Sequence, residues 1–157
     1  MNQGPSVLIW NRILVAVDEK AISLEAVDYV AAVLSGSANC RVDLLAVLVP
    51  PDPDNFPDQA GHAARARELE QQLQQVLARG ERILLEAGLE RQAVASRLVE
   101  SEGRRVSEVI MEYQAAGGYG TVVVGRRGLS KAEEFLLGSV SSAVMHQAAD
   151  CCVWVVG

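Results

Sequence analysis

The chain has 157 residues, half of them apolar and 22% charged, with aromatics at only 4% and a formal net charge of −6 at pH 7. That length suits a single domain with an aliphatic core, 1–157, and the acidic balance excludes a general affinity for nucleic acid or anionic membrane, since both require a basic face. No run approaches the roughly 18 apolar residues of a bilayer span, and the Met1–Val17 stretch lacks the basic region and cleavage site of a signal peptide, so a cytoplasmic protein is expected.

From Arg12 to Val17 the run RILVAV, ended by Asp18, predicts a strand covered on both faces. Val27, Val30, Ala31 and Leu34 then recur at helical spacing, predicting an amphipathic helix over about 22–35 that Gly36 closes. Val42–Val49 is the second strand. Pro50, Pro51, Pro53 and Pro57 keep regular structure out of the stretch to about Ala60, which reads as an exposed loop. His62–Ala87 follows as a long helix with Leu69, Leu73, Val76, Leu77, Ile83 and Leu84 in one stripe, tolerating Gly80 and stopping at Gly88.

Ala93–Val99, with Ser96 and Arg97 in it, is polar enough for a sheet edge. Ser101 is a candidate cap for the next helix, whose apolar face is Val106, Val109, Ile110 and Tyr113 and whose end is marked by Gly117 and Gly118. TVVVG at Thr121–Gly125 is another buried strand, Gly138–Ala149 the last helix and Cys152–Val156 the last strand. Strands alternating with helices demand a parallel five-stranded α/β sheet with right-handed crossovers and helices on both faces, an open Rossmann-like arrangement. Cys40, Cys151 and Cys152 show neither metal nor redox spacing and are expected to be reduced and buried. His62 and His146 stand too far from any nucleophile motif to receive a role.

In such sheets ligands bind beyond the carboxyl ends of the strands. After the fourth strand stands Gly125-Arg126-Arg127-Gly128, and after nine intervening residues stands Gly138-Ser139-Val140-Ser141, a G-x2-G-x9-G-S pattern. Glycines in a tight loop let backbone approach a ligand. A glycine and serines at a helix N-terminus offer unpaired N–H groups, hydroxyls and the positive end of the helix dipole. Together they suit a polyphosphate, with Arg126 and Arg127 as further positive charge. The chain has no Gly-Lys-Ser or Gly-Lys-Thr, and its first strand runs into Asp18-Glu19 rather than into a glycine-rich turn, so it carries neither a P-loop nor a dinucleotide fingerprint. Each of these residues also has a plain structural use: Asp18 as a helix cap, the glycines in turns, the serines on helix-end donors, the arginines on the surface.

The segment VVVGRRGLSKAEEFLLGSVSSAVMHQAADCCVWVVG resembles the closing half of the universal stress protein family, and RILVAVD resembles its first strand with a terminal aspartate, so the likeness covers about 10–157. The resemblance implies a strand order of 3-2-1-4-5. It also implies an adenine-nucleotide site with Asp18 near the ribose and adenine, the Val47 backbone at the adenine edge, and Val124 and Gly125 on the ribose side. Arg127, Gly128, Gly138, Ser139, Val140 and Ser141 would hold the phosphates. Family members that bind ATP often carry Gly-Ser after the first aspartate, where this chain has Glu19-Lys20. The implied function is an ATP-binding regulatory protein of the stress response, not an enzyme beyond slow ATP hydrolysis, paired into a homodimer through its C-terminal strand. Whether ATP, ADP or AMP is the ligand, and whether Mg2+ accompanies it, stays open at this point, as does the alternative of a dimeric interaction module that binds no nucleotide.

Overall fold

The computed structural model describes residues 9–126 and 139–157. In chain order the strands are β1 (Arg12–Val17), β2 (Arg41–Leu48), β3 (Val94–Glu100), β4 (Thr121–Gly125) and β5 (Cys152–Val156). The α-helices of the described residues are α1 (Leu24–Leu34), α2 (Gln59–Glu86), α3 (Val106–Gly117) and α4 (Ser139–Gln147). The five strands form one parallel sheet in the order β3-β2-β1-β4-β5, as the alternation of elements and the family resemblance led us to expect.

Alternation along each strand divides the core between two faces. Ile13, Val15 and Val17 of β1 and Val42, Leu44 and Ala46 of β2 meet Val27, Val30 and Leu34 of α1 and Leu73, Val76, Leu77 and Leu84 of α2. On the other face Leu14, Leu45, Val122 and Val124 pack with Ile110 of α3 and Val144 of α4. Because both faces are covered, the central strands read in sequence as near-continuous apolar runs, interrupted in β2 by Asp43.

Gly80 owes its place to packing: a Cβ there would lie 2.7 Å from Cδ1 of the fully buried Leu44, so α2 rides directly on β2. At the end of α3 a Cβ on Gly117 would come within 2.1 Å of the Tyr119 ring, and Gly118 takes the left-handed conformation, with φ of 63°, that ends the helix.

Several boundaries differ from the sequence reading. Helix α2 begins at Gln59 because Asp58 caps it, accepting a 2.7 Å bond from the Gly61 N–H. The proline-rich stretch before it holds a short 3-10 turn, Pro53–Asn55, with proline at its first position, where the missing N–H costs nothing. Ser101 does not cap α3: it is buried, its N–H bonds Leu48 O at 2.9 Å, and α3 starts five residues later. There the Glu108 carboxylate reaches back to the Arg105 N–H at 3.0 Å. Cys40 is buried, whereas Cys152 is exposed as the first residue of an edge strand, against expectation; all three cysteines are free thiols. Among the described residues no helix is long and apolar enough to cross a membrane.

At the amino ends of the strands lies a buried polar cluster that the sequence did not announce. Asp43 of β2 accepts a hydrogen bond from the Tyr119 hydroxyl and a 3.3 Å bond from Arg41 Nε, and the Arg12 guanidinium lies 5.2 Å from the Tyr119 ring centre. Gln114 turns inward on α3 to donate to Tyr119 O at 2.8 Å. Burial, and then the bond to Asp43, push the Tyr119 hydroxyl up to about 12.

Candidate functional site

The strand order reverses at β1: β2 lies on one side of it and β4 on the other, and the crossovers leave the sheet in opposite directions. At the carboxyl ends of these three strands is a cavity of about 320 Å3. Its floor and walls are largely aliphatic, formed by Ala16 and Val17 of β1, Leu45 and Val47 of β2, Val124 of β4, Val106 and Ile110 of α3, and Leu69 and Leu73 of α2. That size falls at the small end of ligand cavities, which run from roughly 300 to 1,000 Å3 and pair apolar walls with a few polar groups.

The polar groups come from the turn after β1 and from either side of the 127–138 segment. Asp18 Oδ1 accepts the Lys20 N–H at 2.9 Å, and Ser23 Oγ donates to the carbonyls of Asp18 at 3.1 Å and Lys20 at 2.8 Å. These bonds pin the turn, so Asp18 shapes the entry to a short 3-10 turn, Ala21–Ser23, and does not itself cap α1. Burial raises the Asp18 carboxyl above the ordinary aspartate range, opposed by the Lys20 N–H and reinforced by the neighbouring Glu19. On the opposite rim Arg126, whose N–H bonds Val156 O at 2.6 Å, follows Gly125, and the buried Ser141 stands in the first turn of α4.

Of the residues selected from the sequence, Asp18, Val47, Val124, Gly125, Val140 and Ser141 line this one cavity. Ser139 is exposed at the first position of α4 and is not part of the lining. Arg127, Gly128 and Gly138 lie outside the described residues. The helix residues Leu69, Leu73, Val106 and Ile110 were legible only as core stripes, because nothing in a helical repeat distinguishes a residue that faces a sheet from one that faces a cavity. Glu19 and Lys20 also line it, at the mouth. Among the described residues no group of three or more histidine, cysteine or acidic side chains is placed to hold a metal ion.

The profile described as the Universal stress protein family matches residues 10–157. No curated protein sequence matches the chain significantly. Among solved structures, the universal stress protein UspA from Lactobacillus plantarum aligns with a TM-score of 0.74 at 14% identity, over 94% of this chain and 98% of its own. A universal stress protein crystallised in complex with cAMP aligns with a TM-score of 0.65 at 22% identity, over 94% and 96%. The universal stress protein from Archaeoglobus fulgidus in complex with dAMP aligns with a TM-score of 0.61 at 19% identity, over 93% and 97%. At such identities the structural likeness carries the fold.

Proposed function

Because the chain belongs to the universal stress protein family, we propose that it is a nucleotide-responsive regulatory protein that holds an adenine nucleotide in the cavity above β1, β2 and β4. The observation that carries this reading is convergence: residues chosen from a phosphate-binding spacing late in the chain and from an aspartate early in it line one apolar-walled cavity at the switch point of the sheet. Support also comes from the relatives of like fold solved with cAMP and with dAMP.

In this reading the aliphatic slot between Val47, Val106 and Ile110 takes the base, Asp18 and Val124 flank the sugar, and the backbone of Gly125 with the first turn of α4 faces the phosphates. The G-x2-G-x9-G-S segment completes the phosphate clamp, with Mg2+ as counter-ion when the ligand is ATP. Turnover is at most slow hydrolysis: a general base must reach the attacking water, and Asp18 is engaged with the Lys20 N–H. β5 is a sheet edge with partly exposed side chains, and its pairing with a second copy in a cytoplasmic homodimer is part of the proposal.

Calorimetric titration with adenine nucleotides tests the reading. Micromolar or tighter binding that is lost in Gly138→Trp, with the circular dichroism spectrum retained, is the expected result. Failure of every adenine ligand to bind, or unchanged affinity in the variant, refutes it. Light scattering at micromolar concentration tests the dimer, which a monomeric mass would overturn.

A further inference from the structure

Resting on the adenine-nucleotide reading, we infer that Glu19 sets the charge the site accepts, so that the cavity takes an adenine ligand with a single phosphate, open or cyclic, in preference to the triphosphate. Three observations carry this.

Glu19 lines the mouth of the cavity beside Asp18, in a turn held from both sides by the Lys20 N–H on Asp18 and by Ser23 Oγ on the Asp18 and Lys20 carbonyls. Its backbone position is therefore fixed at the rim. The charged residues of the described lining cancel, Asp18 and Glu19 against Lys20 and Arg126, so this wall offers no net attraction for a polyanion. By sequence alone the 127–138 segment is balanced too, Arg127 and Lys131 against Glu133 and Glu134.

The chemistry of the groups points the same way. An ionised carboxylate offers only acceptors, and phosphate oxygens are acceptors as well, so the two meet favourably only through a bridging cation. Ribose hydroxyls, in contrast, donate to a carboxylate. Asp18, which flanks the sugar, thus suits the ribose hydroxyls, while Glu19 beside it opposes a long phosphate chain, since a like charge within a few ångströms costs roughly a factor of a few even in water.

The test is titration of the full chain with adenosine, AMP, cAMP and ATP at low salt in EDTA, for wild type and for Glu19→Gln, which keeps the shape and removes the charge. Wild type is expected to bind AMP and cAMP at least about fivefold more tightly than ATP. Glu19→Gln is expected to strengthen ATP binding about fivefold, AMP binding less, and adenosine binding not at all, with the difference shrinking as salt is added.

An AMP-to-ATP preference that the substitution leaves unchanged overturns the inference while leaving the nucleotide reading intact. So does a loss of affinity for ATP with Mg2+ in the variant, which would make Glu19 a partner of the metal. A change in adenosine binding as large as that in ATP binding overturns it as well, by moving the effect onto the nucleoside. If wild type binds none of these ligands, the nucleotide reading fails and this inference with it.

Discussion

The buried hydroxyl of Tyr119 should make the stability of this protein fall steeply in alkali, and the size of the effect follows from its surroundings. Tyr119 is 4% exposed and its hydroxyl bonds the Asp43 carboxylate, so ionising it would set two anions side by side away from water. Its pKa accordingly stands at about 12, above the 10.0 of an ordinary tyrosine. Since the folded state holds this proton more tightly than the unfolded chain, the stabilisation is fully present below pH 10. It is lost as pH rises from there through about 12. A displacement of that size corresponds to about 3 kcal/mol. Urea unfolding of wild type and Tyr119→Phe at intervals from pH 8 to pH 12 measures it directly. At pH 8 the variant should be less stable by about 1–3 kcal/mol, because Asp43 loses a buried partner. Between pH 10 and 12 that gap should shrink by about 2 kcal/mol, with the remainder lost beyond that interval, as only wild type has the proton to lose. A gap that stays constant across the range would refute the reasoning.

Two further substitutions probe packing and site. Gly80→Ala exchanges a helix-propensity gain of up to about 1 kcal/mol for an overpacking cost of about 1–3 kcal/mol against the fully buried Leu44, whose side chain must shift to make room. The expected net loss is about 1 kcal/mol, seen as a melting temperature lower by about 2–4 °C. Asp18→Asn keeps an oxygen for the Lys20 N–H and removes a carboxylate whose pKa burial has raised. Because that raised value means ionisation opposes folding, the variant should melt higher than wild type at pH 7, with the advantage vanishing in acid once Asp18 is protonated, while its affinity for adenine ligands falls. Thermal melts at pH 7 and pH 3 alongside titration check both halves.

The sheet was legible because its central strands are covered on both faces: RILVAV and TVVVG admit few other readings, and the polar Ser96 and Arg97 marked β3 as an edge. Ends of elements were less so, since they depend on which side chain wins a backbone donor. Asp58 extends α2, whereas Ser101 is drawn into a bond with Leu48 and leaves α3 to start later. Of the candidate site, Gly125 and Ser141, flanking the 127–138 segment, could be chosen from spacing, and Asp18, Val47, Val124 and Val140 from the family resemblance. Leu69 and Leu73 could not, because their cavity-facing role is set by the position of α2 across the sheet. The Asp43–Tyr119 bond joins residues 76 apart in the chain, and no local pattern encodes it.

The strand order has a consequence for synthesis. β1 gains its first neighbour, β2, within a few tens of residues, Arg12 opposite Arg41, but its other edge waits for β4, with Ile13 opposite Thr121. A nascent chain that has emerged as far as β3 therefore already has three of the five strands, while the strand destined for the middle still presents a bare edge of unpaired backbone groups. Unpaired edges of this kind template pairing with other chains. The interval before Thr121–Gly125 leaves the ribosome is the stretch of this protein's life in which a chaperone, or a pause in translation, matters most.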